Sequence, residues 1–201
     1  MKFTFLISLL ISLSSWAAPE LKVGDVLLQP LDCWSCDLIE DEEQSIYSHM
    51  GVVISVRPTL VADSRRKVEV QTLKEFNSIT QKGQAIRVLR FKNSKIVNEL
   101  ETKSEELLRL FMSEFNGLEY DHDFLWDNFS PDGNQKLYCS EMVAKLFQAF
   151  LGIDPIIKRM HFSRNREVWE RYFRGNVPVG KWGNSPADFE RSDWFYVVGD
   201  L

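Results

Sequence analysis

A series of β-branched and apolar runs between residues 49 and 91 constrains the fold of this chain more than any other feature. Residues 49–56, with the sequence His-Met-Gly-Val-Val-Ile-Ser-Val, predict a central strand. Turn signals separate this run from three more predicted strands, at residues 60–64, 68–73 and 85–91. Four strands in this order are typical of an antiparallel meander.

Weaker strand and loop signals lie on either side of this meander. Residues 23–29 predict a short strand and residues 194–198 a closing one. Residues 30–48 predict a long loop, of the length usually found in binding loops or lids; a tolerated surface insertion is the alternative. Because the chain contains no internal repeat and no linker, residues 18–201 are expected to form one α+β domain.

Two helices are predicted from their start and stop signals. Thr102-x-x-Glu105 is a capping-box pattern, so a helix is expected to begin there and to end at Gly117. Residues 166–174 predict a short helix, and the Pro- and Gly-rich residues 178–186 that follow it predict a loop.

A cysteine begins the most regular helical pattern of the chain. The apolar positions of this pattern recur at helical spacing, at Val143, Leu146, Phe147, Phe150 and Leu151. Gly152 supplies the stop signal, and Cys139 lies in the first turn on the inward face. The N-terminus of a helix favours a thiolate, which is the nucleophile of a cysteine hydrolase. This helix alone leaves open that Cys139 is a small buried hydrophobic residue.

The first 17 residues predict a secretory signal peptide. Lys2 precedes the apolar residues 3–13, which are too few to span a bilayer, since a membrane helix needs roughly 20 apolar residues. Residues 15–17, Ser-Trp-Ala, place small side chains at a cleavage site. We therefore expect a periplasmic or secreted mature chain, residues 18–201, without an integral membrane segment.

Export gives the three cysteines different expected states. In an oxidising compartment two should pair, and Cys33 and Cys36 are close enough to form a disulfide that leaves Cys139 free. A redox role for the Cys-Trp-Ser-Cys motif is an alternative. Thioredoxin-like motifs begin a helix after a strand, whereas an acidic loop led by Pro30 is expected here, so the structural disulfide is favoured.

The charge of the chain excludes one class of partner. The formal net charge is −5 and no basic stripe with interleaved aromatic residues is present, so nucleic acid is not expected to bind. One candidate histidine and one pair of cysteines would leave a zinc site short of ligands, so neither a metal nor another cofactor is expected.

Three histidines are candidates for the base that Cys139 needs. His49 begins the best predicted strand and is rigidly held, whereas His122 and His161 lie in polar, surface-like segments. If Gly51 opposes Asp63 across the predicted hairpin, His49 and Asp63 are diagonal neighbours on one face, about 7–8 Å apart at Cα. A carboxylate within this reach can orient the imidazole. The alternative is that Asp63 is a surface acid near the turn.

Several motifs, taken in order, resemble a known family. They are Gly24-Asp25-Val26, Ser48-His49-Met50-Gly51-Val52-Val53, Asp63, Tyr120-Asp121-x-x-Phe124 and Tyr138-Cys139-Ser140-Glu141. Together they resemble the circularly permuted branch of the NlpC-type papain-like cysteine hydrolases, specifically the YiiX-like group, which is related to the lecithin–retinol acyltransferase-like enzymes. In this branch the histidine strand precedes the cysteine helix, which is the order seen here.

The resemblance implies a permuted papain-like α+β fold, with an antiparallel sheet or small barrel packed against helices and the nucleophile at a helix N-terminus. It implies that Cys139 is the nucleophile and His49 the general base. Asp63 takes the place of the third residue, which is often Glu in the YiiX-like group. The residues expected to shape the substrate pocket are Tyr120, Asp121 and Tyr138.

The expected function is therefore hydrolysis of amide or ester bonds by an exported cysteine hydrolase of the amidase or peptidase type. Cell-wall peptides are natural substrates for such an exported enzyme. The alternatives are a lipid or N-acyl hydrolase, or an acyltransferase, of the same fold, and an exported binding module without activity. The expected partner is a small-molecule, peptide or lipid-like substrate.

Overall fold

A six-stranded antiparallel sheet organises the computed structural model, which describes residues 18–201. The strands of the whole structure are β1 Val26–Gln29, β2 His49–Val56, β3 Thr59–Ser64, β4 Val68–Thr72, β5 Arg87–Phe91, β6 Lys158–Arg159, β7 Trp182–Gly183 and β8 Phe195–Asp200. The sheet has the order β4-β3-β2-β1-β5-β8, and the two-residue strands β6 and β7 pair separately. The predicted signal peptide, residues 1–17, lies outside the described residues.

Seven helices of the described residues lie around this sheet. They are α1 Trp34–Glu43, α2 Leu73–Asn77, α3 Ser94–Thr102, α4 Ser104–Glu114, α5 Cys139–Leu151, α6 Arg166–Tyr172 and α7 Pro186–Arg191. Helices α4 and α5 pack on β2, and α2 contacts β3 and β4. Within residues 18–201, none of the helices has the length and apolar character needed to cross a bilayer.

Strand β2 is covered on both faces, which explains its continuous apolar run. Met50, Val52 and Ile54 point into the main core with α4 and α5. Val53 points to the opposite face, where it joins a smaller core around Phe76. Successive side chains of a strand alternate between faces, so each apolar residue of this run has a core to enter.

The predicted loop over residues 30–48 is wrong, because the segment contains helix α1. Cys36 and Leu38 are its buried inward-facing residues. The acidic run forms the C-terminal end of the helix, where Glu43 forms an ion pair with Lys158. A partner that lies so far along the chain gives no local signal, and the acids therefore resembled a solvated loop.

The predicted meander is right for β2, β3 and β4 and wrong for the fourth strand. After β4 the chain forms the short helix α2, which has a full capping box between Thr72 and Glu75 and buries Phe76 under the sheet. The chain then crosses, so that β5 lies between β1 and β8. The chain therefore leaves the β4 edge of the sheet at α2, where Phe76 is buried.

The capping box predicted at Thr102 is also wrong. Thr102 ends α3, where its hydroxyl donates to the carbonyl of Asn98 at 2.7 Å. Helix α4 begins after Lys103, which makes no side-chain cap bond. On the inward face of α4, Leu107 and Phe111 are fully buried.

Helix α7 begins at Pro186, the last residue of the segment that was predicted to be a Pro- and Gly-rich loop. Pro186 is at its start, and Ser185 and Asp188 form a capping box there. A proline is well tolerated in the first turn of a helix, so Pro186 starts an element that it was expected to interrupt. Helix α5 begins and ends as predicted, with Gly152 in the left-handed conformation after its last residue.

Candidate active site

His49 and Asp63 lie on neighbouring strands and touch. Gly51 of β2 is paired with Asp63 of β3, which makes His49 the diagonal neighbour of Asp63, as predicted. The Nε2 atom of His49 lies 2.9 Å from Oδ2 of Asp63, and both side chains are buried. This contact fixes the orientation of the imidazole and leaves its Nδ1 atom for a second partner.

The second partner of His49 is the thiol of Cys139. Burial lowers the pKa of His49, but hydrogen bonds to Asp63 and Cys139 together with their charges outweigh burial and raise the pKa to about 9. The ring of Phe76 covers the imidazole, with its centroid 5.8 Å away. A positively charged imidazole is therefore favoured between a carboxylate and a thiol.

Cys139 is the first residue of α5 and carries a free thiol that is 6% exposed. Tyr138, the N-cap residue, makes no side-chain hydrogen bond to the helix. The first N–H groups of a helix lack partners within the helix, so the backbone N–H of Cys139 can donate to an oxyanion formed beside the sulfur.

Two hydrogen bonds hold the segment that precedes Cys139. The hydroxyl of Ser64, next to Asp63 in β3, donates to the carbonyl of Leu137 at 2.6 Å, and the N–H of Leu137 donates to the carbonyl of Glu119 at 2.9 Å. The strand that carries Asp63 is thus tied directly to the start of the cysteine helix. No pattern around Ser64 in the sequence indicates this role.

Asn184 forms hydrogen bonds with residues on both sides of Cys139, at the first turn of α5. Its backbone N–H donates to the Tyr138 hydroxyl at 3.1 Å, and its side-chain amide donates to the carbonyl of Ser140 at 3.2 Å and to that of Ile156 at 2.8 Å. The Ser140 hydroxyl donates to the carbonyl of Asn184 at 3.3 Å. Sequence reasoning missed Asn184. The only local signal was the capping pattern of Ser185 and Asp188, which marks a helix start directly after Asn184.

A narrow pocket opens next to Cys139 and is mostly apolar. Its volume is about 40 Å³, where a water needs about 10–15 Å³ by the same measure. Besides Tyr120 and Tyr138, which were predicted to be pocket residues, its walls include Ile39, Phe124, Met160, Phe162 and Trp169. Burial raises the pKa of Tyr120 and of Tyr138 well above the usual range, so both hydroxyls are neutral.

Asp121, the third predicted pocket residue, does not line this pocket. Its carboxylate accepts hydrogen bonds from the N–H groups of Asp123 at 2.9 Å and Leu125 at 2.8 Å and from the amide of Asn128 at 2.7 Å. These bonds order the turn on which Phe124 adopts a positive φ of 49°. Asp121 therefore acts on the pocket through the position of Phe124.

Comparison with known proteins decides the family. Residues 20–198 match the family described as permuted papain-like amidase enzyme, YaeF/YiiX, C92 family. This chain belongs to the C92 family. The crystal structure of the metalloprotein YiiX from Escherichia coli O157:H7 is similar in fold, with a TM-score of 0.71 and 20% identity over 90% of this chain and 97% of YiiX. Among the curated proteins, none matches this chain.

The C92-family chain has a wider cleft on the other side of its imidazole. This cleft has a volume of about 440 Å³, and its lining includes His49, Arg65 and His122. The predicted disulfide between Cys33 and Cys36 is present and lines the same cleft. Within residues 18–201, no group of three or more His, Cys, Asp or Glu side chains is arranged to hold a metal ion.

A buried ion pair supports the cysteine helix of this C92-family member from behind. Glu141, fully buried, lies 2.8 Å from the ammonium group of Lys145, which also contacts Asp127 at 2.7 Å. Burial raises the pKa of Glu141 to about 7, although Lys145 lowers it. The backbone N–H of Asp127 donates to the Glu141 carboxylate at 3.2 Å, so the network joins α5 to the loop that carries Phe124. Sequence reasoning gave Glu141 no such part.

Proposed function

We propose that this chain is an exported cysteine hydrolase that cleaves amide or ester bonds, with Cys139 as nucleophile, His49 as general base and Asp63 as the residue that orients the base. One observation supports this most strongly. The buried imidazole of His49 lies 2.9 Å from the Asp63 carboxylate, and the thiol of Cys139, at a helix N-terminus, is near enough to raise the pKa of that imidazole.

The reaction follows from this geometry. The proton shared by Cys139 and His49 stays on the imidazole, and the sulfur attacks the substrate carbonyl carbon while the developing oxyanion is stabilised by the N-terminus of α5. The imidazolium then gives its proton to the departing amine or alcohol, which leaves a thioester on Cys139. Water attacks this thioester with His49 as base, and the released thiol regains its proton. Asp63 holds the imidazole in place throughout.

The pocket beside Cys139 supports a peptide-like substrate with a small apolar group. Its volume of about 40 Å³ suits a short aliphatic side chain better than a long acyl chain. An exported enzyme with such a pocket fits cell-wall peptide amides. A second candidate, hydrolysis or transfer of lipid or N-acyl groups, is favoured by the apolar side chains of Phe124, Phe162 and Trp169 in the pocket wall.

Export is part of the proposal and has its own test. The basic start, apolar run and small residues of positions 1–17 support removal of this segment as a signal peptide. Mass spectrometry of the protein purified from its native host should show an N-terminus at residue 18. An intact Met1 would contradict export by this route.

The catalytic assignment is tested by comparing the wild-type protein with Cys139→Ala and His49→Ala on muropeptides and on lipid esters. Turnover should fall by several orders of magnitude in both variants, because each removes a group that makes or breaks bonds. His161→Ala is the matched control, since His161 is exposed and does not itself line the pocket, although its neighbours Met160 and Phe162 do. Wild-type turnover in Cys139→Ala would refute the nucleophile.

Labelling with iodoacetamide separates the hydrolase from a binding module without activity. At neutral pH the reagent should modify Cys139 faster than a free cysteine in a peptide, because the imidazole of His49 beside the sulfur can hold its proton. His49→Ala should slow this labelling. A thiol that is inert in the folded wild-type protein would favour the binding module.

A further inference from the structure

The Cys33–Cys36 disulfide lies at a helix start, a position that the predicted loop did not anticipate. Cys33 is the N-cap residue of α1, and the helix follows β1 after a short connection. Cys33 is exposed, whereas Cys36 is 5% exposed. A redox role was disfavoured because no helix was expected at the motif. Helix α1 begins there, so this reason no longer holds. Because β1 and β2 are antiparallel, the surrounding fold is nevertheless not that of thioredoxin.

Two donors lie next to the exposed sulfur. The backbone N–H of Cys36 donates to Sγ of Cys33 over 3.2 Å, and the hydroxyl of Ser35 lies 3.4 Å from the same sulfur. Both groups, with the positive end of a ten-residue helix, favour negative charge on Cys33 after the disulfide is broken. Asp37 in the first turn opposes this effect.

The disulfide also has room in front of it for a second thiol. Both cysteines line the cleft of about 440 Å³. The charged or titratable groups that share this cleft include Asp32, Arg65 and His122. Because the cleft lining is not purely acidic, it does not exclude a small thiol that carries charge.

The aromatic residue inside the motif is placed where a partner can meet it. Trp34 is 59% exposed and stacks on Tyr172, with ring centroids 6.1 Å apart. Tyr172 in turn stacks on Phe124 at 5.9 Å, and both Tyr172 and Phe124 line the cleft. The sulfurs therefore lie beside an ordered aromatic wall, and α1 cannot be treated as an isolated surface turn.

We propose that Cys33–Cys36 is a thiol–disulfide exchange site for small thiols. A thiolate from the small thiol attacks Sγ of Cys33, the Cys33–Cys36 bond breaks, and Cys36 leaves as a thiolate that takes up a proton. A second small thiolate attacks the small thiol's sulfur in the mixed disulfide, Cys33 leaves as a thiolate that takes up a proton, and the disulfide of the small thiol is released. The protein disulfide gains two electrons and two protons, and two small thiols are oxidised to one disulfide.

The experiment uses reduced and oxidised glutathione and the full mature chain with Cys139→Ala, which removes the third thiol. The folded protein is equilibrated at a series of glutathione ratios and quenched with N-ethylmaleimide, and the two labels are counted by mass spectrometry. The pair should change between disulfide and dithiol across the range that glutathione buffers, without loss of secondary structure. A disulfide that stays intact at every ratio, and opens only in denaturant, would show a structural link and overturn the proposal.

Two variants test which sulfur is attacked and what stabilises it. Cys36→Ser should retain a glutathione mixed disulfide on Cys33, whereas Cys33→Ser should form far less on the buried Cys36. The reverse pattern would overturn the assignment. Ser35→Ala should lower the equilibrium constant for reduction about threefold, as expected for one lost hydrogen bond. If either cysteine variant fails to fold, the equilibrium of the folded Cys139→Ala protein decides.

Discussion

Replacement of Asp63 by asparagine should change how the stability of the protein depends on pH. The folded-state pKa of His49 is raised from 6.5 to about 9, a rise that corresponds to about 3 kcal/mol in favour of the protonated imidazole. Because the folded pKa is the higher one, this stabilisation is fully present below pH 6.5. It is lost as the pH rises through 9.

Asp63→Asn keeps the size of the side chain and removes its charge. Without the carboxylate, burial becomes the main influence on His49 and lowers its pKa. The variant should therefore lose stability relative to the wild type by about 3 kcal/mol at pH 6, and the difference should shrink towards pH 10.

Urea unfolding at a series of pH values between 6 and 10 measures this difference. Glu69→Gln is the matched control, because Glu69 is paired with Asp63 on the neighbouring strand but is partly exposed. Its stability should follow the wild-type curve. Parallel curves for the wild type and Asp63→Asn would refute the claim that Asp63 holds a protonated imidazole.

Three further substitutions test other contacts of the site. Ser64→Ala should cost about 1 kcal/mol in urea unfolding, because it removes the buried bond to the Leu137 carbonyl; no loss would contradict this tie. Gly51→Ala should cost about 1–3 kcal/mol, since a Cβ there would lie 2.7 Å from Cγ1 of Val61 and 2.9 Å from both the carbonyl oxygen of Ala62 and the Phe76 ring; wild-type stability in this variant would contradict the close approach of β2 and β3. Glu141→Gln should abolish the loss of stability that the wild type shows as the pH rises from 4.5 through 7, because the folded pKa of Glu141 is raised; an unchanged pH profile would contradict it.

The parts of the fold that could be predicted were those marked by a strong hydrophobic pattern among neighbouring residues. The β-branched and apolar runs along residues 49–64 predicted β2 and β3, and the pairing of Gly51 with Asp63 then brings His49 and Asp63 together. The 3.6-residue period after Cys139 predicted α5 and its first turn. Both signals are carried by neighbouring residues, which is why one sequence sufficed.

The parts that could not be predicted depend on partners far along the chain. Helix α1 has few buried apolar residues, and its acids bind residues beyond 157. The position of β5 depends on burial of Phe76, which nothing in the sequence of α2 indicates.

The pocket illustrates the same limit for the site. Ile39, Met160 and Trp169 come from separate segments, and each has the sequence context of an ordinary core residue. Tyr120 and Tyr138 could be named only because they lie within motifs of a known family. Sequence patterns thus identified the candidate catalytic residues and missed most of the residues that line the pocket beside them.

The bond between Ser64 and Leu137 has a consequence for the nascent chain. His49 and Cys139 lie 90 residues apart in the chain, so only tertiary folding brings the imidazole and the thiol together. Until the segment before α5 docks on β3, the sulfur has no imidazole beside it. The emerging polypeptide therefore carries an ordinary thiol, and the proposed nucleophile and base are assembled only in the folded chain.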